Sequence, residues 1–263
     1  MTYSTLDYEL RDGVAWITFT RPERFNALDP AMARELCDVA NLCSSDRRVR
    51  AAVLTGSGEQ AFCAGRDVSV FADNLDTIEV LVKEMTTYLH AAVSRFARMR
   101  APLIAAVNSV AAGAGFSLVT GCDLAIAAEG ATFTSAYTRI GLTPDGSSTY
   151  FLSRLVGTRR AAELYLTNRV LSAPEALDWG LVNRVVPAAD LLDTAGTLAR
   201  QLADGPTAAH GGVKALLQSA ATESLETQME LESRAIAAAG ASADGQEGIR
   251  AFIAKRRPKF TGH

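Results

Sequence analysis

The stretch LIAAVNSVAAGAGFSLVTGCDLAIAA, residues 103–128, decides the fold. It opens with an apolar run, Leu103–Val107, set off by Pro102, and returns to a second run at Leu124–Ala128. Neither run alternates with polar residues, which is the pattern of a strand buried on both faces. Between them, Gly113-Ala114-Gly115 leads into an apolar helix. A buried strand, a helix and a second buried strand form the repeating unit of an α/β protein.

The same logic extends in both directions. Residues 6–20 alternate and are rich in β-formers (Val14, Trp16, Ile17, Phe19), with Asp12-Gly13 as a hairpin turn. Asp29-Pro30 reads as an N-cap followed by proline at the first helical position, predicting a helix to about Ser44. Residues 51–55 predict a short buried strand, residues 56–65 a loop, and residues 76–99 a helix that Pro102 stops. From about residue 190 strand signals vanish. Ala-, Leu- and Glu-rich helices then run to residue 256, broken at Gly205-Pro206 and at Gly240. The pattern predicts a core over residues 1–195 and a helical region over residues 196–263, serving as a subunit contact or as cover for the core.

At 263 residues, the chain has room for one large domain or a core with a small appendage. Lys and Arg number 26 against 29 Asp and Glu, so the net charge of −3 makes no electrostatic case for nucleic acid or an anionic membrane. No apolar run approaches the roughly 20 residues that span a bilayer. The first residues contain acidic groups and no apolar stretch of signal-peptide type, which leaves the cytoplasm as the expected location. Cys37, Cys43, Cys63 and Cys122 form no CxxC pair and are expected to be reduced. The histidines, His90, His210 and His263, lack metal-ligand spacing, and no protein-bound metal is expected.

Three segments carry candidate chemistry. Residues 61–67, AFCAGRD, follow a buried strand; Gly65 lets a ligand approach the backbone, and helix onset near Asp67 leaves N–H groups free for a negative charge. Residues 106–116, AVNSVAAGAGF, combine small residues with a second helix start but lack the spacing of a dinucleotide fingerprint. Residues 137–148, YTRIGLTPDGSS, place Asp145 after a proline and before small residues. Read singly, these are a turn, a tight helix–strand contact and an N-cap.

In order and spacing, the three segments resemble the crotonase (enoyl-CoA hydratase/isomerase) superfamily. The resemblance covers essentially the whole chain. It includes Arg21-Pro22 with Asn26-Ala27-Leu28, the stretch Leu166-Thr167-Asn168-Arg169, Asp178-Trp179-Gly180-Leu181-Val182, and the ending from Ala251 to Arg256. It implies an α/β fold with a β-β-α spiral core, a C-terminal helical region, and a trimer or a hexamer of paired trimers.

The resemblance also implies chemistry. The thioester carbonyl of an acyl-CoA would accept hydrogen bonds from the backbone N–H groups of Arg66 and Ala114. Coenzyme A would enter as part of the substrate, with no further cofactor. Backbone around Arg24, Phe25, Ala64, Asp67 and Val68 would line its nucleotide site, and Phe252 and Lys255 match positions where a C-terminal helix contacts adenine and phosphate.

Hydratases of the family use two glutamates at positions matching Ser117 and Tyr137, and neither residue is acidic here. A hydroxyl and a phenol of ordinary pKa do not replace that pair at neutral pH. Asp145 remains, and one base suffices to move a proton between carbons. The chain is therefore expected to act as an isomerase, most like the ring-epoxide phenylacetyl-CoA isomerases, although Ser147-Ser148 stand where relatives commonly have two glycines. Hydrolytic 4-chlorobenzoyl-CoA dehalogenases are a second resemblance, with Asp145, His90 and Tyr137 matching their nucleophile, base and tryptophan donor. In the isomerase reading Tyr137, His90 and Ser117 line the acyl pocket. A hydratase with an atypical acid and a silent acyl-CoA-binding protein are the remaining alternatives.

Overall fold

The Asp12-Gly13 turn closes β1 (Leu6–Arg11) onto β2 (Val14–Phe19), with φ of 49° and 77° at its two residues. Positive φ at both positions is what a two-residue hairpin turn of this twist requires. The structure is a computed structural model and describes residues 2–263. Asp29 caps α1 (Pro30–Ser45) as the sequence predicts, its Oδ1 accepting from the Met32 N–H at 2.8 Å.

After α1 the chain adopts a repeating course. Strand β3 (Ala51–Gly56) is followed by β4 (Ala61–Cys63), then by α2 (Val68–Ala72) and α3 (Ile78–Arg98). Strand β5 (Leu103–Val107) is followed by β6 (Val110–Ala112) and α4 (Ala114–Thr120). Strand β7 (Leu124–Ala128) is followed by β8 (Thr132–Thr134), α5 (Ser148–Val156) and α6 (Thr158–Thr167). Each turn thus contributes one strand to each of two sheets and closes with helix. With β9 (Leu171–Ser172), α7 (Ala173–Asp178) and β10 (Arg184–Val186), the larger sheet has the order β1-β2-β3-β5-β7-β10 and the smaller β4-β6-β8-β9. From β2 to β10 the larger sheet is parallel. This is the expected mixed α/β fold.

The non-alternating strands have a direct explanation. On one face of the larger sheet, Ile17, Leu54, Ala105 and Ala127 join the main core with Leu36, Phe62 and Phe116. On the other, Val14, Val53, Ile104 and Ile126 meet Leu191, Ala195 and Ala199 of α8 (Leu191–Ala203). Both faces are buried, so both sets of residues are apolar. The boundary expected between residues 195 and 196 falls inside α8, a helix that covers the sheet.

Beyond it lie α9 (Thr207–Ser219), α10 (Leu225–Ala241) and α11 (Ala243–Ile253). Gly205-Pro206 separates α8 from α9, as expected. Gly240 does not break the next helix; the break comes at Ser242, whose hydroxyl caps α11 by accepting from the Gly245 N–H at 3.0 Å. Helix α9 is fastened to the core by Lys214, whose buried Nζ donates to the carbonyls of Phe96 at 2.9 Å and Ala101 at 3.0 Å and pairs with Asp123 at 2.6 Å. No residue of α10 is buried. All four cysteines are free thiols. Among the described residues no helix is long and apolar enough to cross a membrane.

Candidate active site

The region expected as a loop over residues 56–65 contains β4, which pairs in parallel with β6. Three residues carry too little pattern to announce a strand, yet this pairing aligns the first two chemistry-bearing segments. After β4, Arg66 forms an isolated parallel bridge with Leu28: the Leu28 N–H donates to the Gly65 carbonyl at 2.7 Å, and the Asp67 N–H donates to the Leu28 carbonyl at 2.8 Å. In such a bridge the N–H of the central residue points away from the partner strand. The Arg66 N–H is thus directed off Leu28 and finds no acceptor among the described residues.

Helix α4 begins at Ala114, within the Gly113-Ala114-Gly115 stretch, with Gly113 at its N-cap in a positive-φ conformation (φ 50°). Ala114 therefore occupies the first helical position, where an N–H has no partner within the helix. The two segments abut through backbone. A Cβ on Gly65, itself at φ 99°, would lie 3.0 Å from the Ala112 carbonyl oxygen and 3.3 Å from the Ala114 nitrogen. One on Gly115 would come within 2.1 Å of the Cys63 carbonyl oxygen. The glycines permit this approach, and it sets two uncommitted N–H groups on touching segments.

Asp145 does not cap a helix. The N-cap of α5 is Ser147, held at φ 64°, and the Asp145 carboxylate turns elsewhere. Its Oδ1 accepts from the Tyr137 hydroxyl at 2.7 Å, and its Oδ2 accepts from Nη2 of Arg66. The Tyr137 oxygen lies 2.9 Å from Ser117 Oγ, which is also 3.2 Å from the Gly113 carbonyl. Burial, and after it the charge of Asp145, push the Tyr137 phenol well above its usual value, so the phenol remains a donor. His90, half-exposed on α3, has Nε2 at 4.0 Å from Asp145 Oδ2. That nitrogen accepts from the Gly146 N–H at 3.1 Å, which assigns the neutral ring's proton to Nδ1.

Of the expected site residues, the structure brings Arg66, Ser117, His90, Tyr137 and Asp145 together, with Ala114 on the segment beside Gly65. A second group forms around the first segment. The Ala64 N–H donates to the Phe25 carbonyl at 3.0 Å, and Arg24, Phe25 and Val68 are exposed. The Asp67 carboxylate is committed, accepting from Ser69 Oγ at 2.6 Å and from Arg21 Nη2 at 3.1 Å. Phe252 is 86% exposed at the end of α11, and Lys255 lies just beyond it; neither shares a hydrogen bond or ion pair with the other site residues.

Two supporting residues carried no functional reading in the sequence. Asn26 is fully buried, at φ 53°, and donates to the carbonyls of Ser57 at 2.9 Å and Ala61 at 2.8 Å while accepting from the Arg21 N–H at 3.0 Å. Arg21 bridges Asp29 and Asp67. Together they fix the turn that carries Phe25 and Leu28. The contact of the Arg66 side chain with Asp145 was likewise invisible, although an arginine at that position was the available signal.

Comparison with known proteins places this geometry in context. The enoyl-CoA hydratase/isomerase family model matches residues 9–263. The chain is 41% identical over 251 residues, 95% of each chain, to the 1,2-epoxyphenylacetyl-CoA isomerase of Escherichia coli K12. It is 39% identical over 228 residues, 86% of this chain and 82% of the relative, to 4-chlorobenzoyl coenzyme A dehalogenase-2 of an Arthrobacter species. Among solved structures, a putative enoyl-CoA hydratase from Streptomyces coelicolor superposes with a TM-score of 0.94 at 34% identity, covering 100% of this chain and 96% of that one. Three different reactions are named among these relatives, so overall similarity leaves the choice between them to the site residues.

Proposed function

We propose that this chain, which belongs to the enoyl-CoA hydratase/isomerase family, is an isomerase of an acyl-CoA thioester in which Asp145 moves a single proton. The observation that carries this reading is the composition of the cluster: Asp145 is its carboxylate, and the neighbours Ser117 and Tyr137 are neutral hydroxyl groups.

The thioester carbonyl accepts from the N–H groups of Arg66 and Ala114. Withdrawal of electron density by fixed donors acidifies the proton on the carbon next to the carbonyl and stabilises the enolate that follows, each donor contributing about 2.7–4 kcal/mol. Asp145 takes that proton, so one C–H bond breaks and one O–H bond forms. Returning the proton to another carbon forms a new C–H bond and shifts the double bond, whereas in a ring epoxide a C–O bond breaks as the new double bond forms and the freed oxygen takes the proton, in both cases without net redox change. Each carboxylate oxygen has a second lone pair for this task while Tyr137 and Arg66 occupy the first. Coenzyme A belongs to the substrate, with the segments around Phe25, Ala64 and Val68 as its nucleotide side and Phe252 and Lys255 as further contacts. The exposed α10 and the apolar end of α11 favour a trimer or hexamer, and sedimentation of the purified protein tests that assembly.

A second reading, hydrolysis of an aryl halide thioester, is favoured by one observation: His90 Nε2 lies 4.0 Å from Asp145, and it would have to release the Gly146 N–H to take a proton from water. Three substrates assayed side by side separate the readings. A 3-enoyl-CoA is expected to be isomerised, a trans-2-enoyl-CoA to gain no water, and a 4-chlorobenzoyl-CoA to release no chloride. Asp145→Asn is expected to lower isomerisation about 10²- to 10⁴-fold while still binding CoA esters; near-wild-type turnover in that variant overturns the assignment.

A further inference from the structure

Arg66 offers more than a backbone N–H. Its side chain is 7% exposed, yet of the two terminal guanidinium nitrogens only one is used. Nη2 donates to Asp145, whereas Nη1 is buried with no hydrogen-bond partner among the described residues. A buried guanidinium nitrogen without an acceptor is costly, and native structures rarely keep one without a use. The position of this residue gives the use a direction. Its main chain is where the thioester carbonyl would sit, and its side chain ends on the carboxylate that would take the acyl proton. The guanidinium therefore lies along the path of the acyl group, between the carbonyl end and the base.

We propose that Arg66 determines substrate specificity by donating from Nη1 to a neutral oxygen acceptor on the acyl group: a hydroxyl, ketone, ether or epoxide oxygen. This rests on the reading of Arg66, Ala114 and Asp145 as the acyl site. Charge selects the neutral class over a carboxylate. The Arg66 cation is already balanced by Asp145, so a second anion would leave the buried cluster with an uncompensated negative charge. A neutral acceptor satisfies Nη1 and leaves the balance intact. An acyl group without such an oxygen would bury Nη1 unpaired, so the site would discriminate against plain hydrocarbon acyl groups.

The test measures dissociation constants by calorimetry for matched pairs of CoA esters: phenylacetyl-CoA with 2-hydroxyphenylacetyl-CoA, and hexanoyl-CoA with its 3-oxo, 4-oxo and 5-oxo derivatives. The wild-type protein is expected to bind at least one oxygenated ester about tenfold to a hundredfold more tightly than its plain partner, the range for a hydrogen bond to a charged group. Arg66→Met keeps the backbone N–H and is expected to bring that ratio close to one. Arg66→Gln, which retains a neutral donor for Asp145, provides the same comparison if the methionine variant does not fold. Equal affinities within every pair in the wild type, or a preference that survives both substitutions, overturn the proposal. Adipyl-CoA is the charge control, and binding of it above all neutral oxygenated esters also overturns the proposal. Failure of every ester to bind more tightly than free coenzyme A removes the acyl-CoA reading itself and the proposal with it, an outcome distinct from binding without discrimination.

Discussion

The two halves of the site are built from different material. The N–H half consists of main chain, Arg66 and Ala114, held by the β4–β6 pairing, the Leu28 bridge and the glycines at 65, 113 and 115. The other half, to which the proposed proton transfer falls, consists of side chains: Asp145, Tyr137 and Ser117, linked by hydrogen bonds from separate elements, with His90 beside them on the Gly146 N–H. A backbone donor is indifferent to the residue that carries it, so an arginine at 66 costs the N–H half nothing. A carboxylate exists only through its side chain. In the proposed reading, neutral Ser117 and Tyr137 leave Asp145 as the carboxylate of the cluster, which favours moving a proton over adding water.

The sharpest way to break this contrast is in the side-chain half. Asp145→Asn keeps size but removes the base and turns one acceptor oxygen into an NH2 donor facing Tyr137 or Arg66, and isomerisation is expected to fall about 10²- to 10⁴-fold in steady-state assays while CoA-ester binding persists. Next comes the backbone half. In Gly115→Ala the new methyl would meet the Cys63 carbonyl oxygen at 2.1 Å and its Cβ at 2.7 Å, so α4 must withdraw from β4. Turnover is expected to drop about 10²-fold because both donors are displaced relative to each other. The melting temperature should also fall, as overpacking costs about 1–3 kcal/mol. Unchanged turnover with unchanged melting would show that the N–H half tolerates displacement.

Tyr137→Phe sits lower. It removes one donor to Asp145, and the rate is expected to fall about tenfold. The phenol's pKa is raised by burial and by Asp145, so its protonated form persists above its ordinary value near 10. The pH–rate profiles of the wild type and of Tyr137→Phe should therefore keep the same alkaline side up to about pH 10. An alkaline limb below that pH that vanishes in the variant would assign the phenol a titrating role. Smallest is His90→Gln, which retains an acceptor for the Gly146 N–H and is expected to change isomerisation less than about threefold. A loss of two orders of magnitude in chloride release from 4-chlorobenzoyl-CoA, with isomerisation absent throughout, would instead move His90 to the centre of the chemistry.

Much of the fold was legible because its signals are local. Asp12-Gly13 is a turn by backbone preference, Asp29-Pro30 starts α1 by capping chemistry, and Leu103–Val107 and Leu124–Ala128 are apolar on both faces because both faces of the larger sheet are covered. The smaller sheet was not legible. Strands β4, β6 and β8 have three residues each and β9 has two, too few to establish a period. Of the site, the motifs located Arg66, Ala114, Tyr137 and Asp145, and the acidic side chains missing at Ser117 and Tyr137 could be read directly.

Sequence alone therefore determined the α/β character and the helix and turn punctuation, since each depends on a residue's own chemistry and its near neighbours, and the resemblance of its motifs singled out Asp145 as the candidate carboxylate. Tertiary structure alone decided that the Arg66 guanidinium reaches Asp145 across 79 residues, that the phenol of Tyr137 donates to the same carboxylate, and that Lys214 is buried on carbonyls of the core. Those contacts join segments remote in the chain. Their partners are chosen by how the sheets and helices pack, information that no local pattern contains.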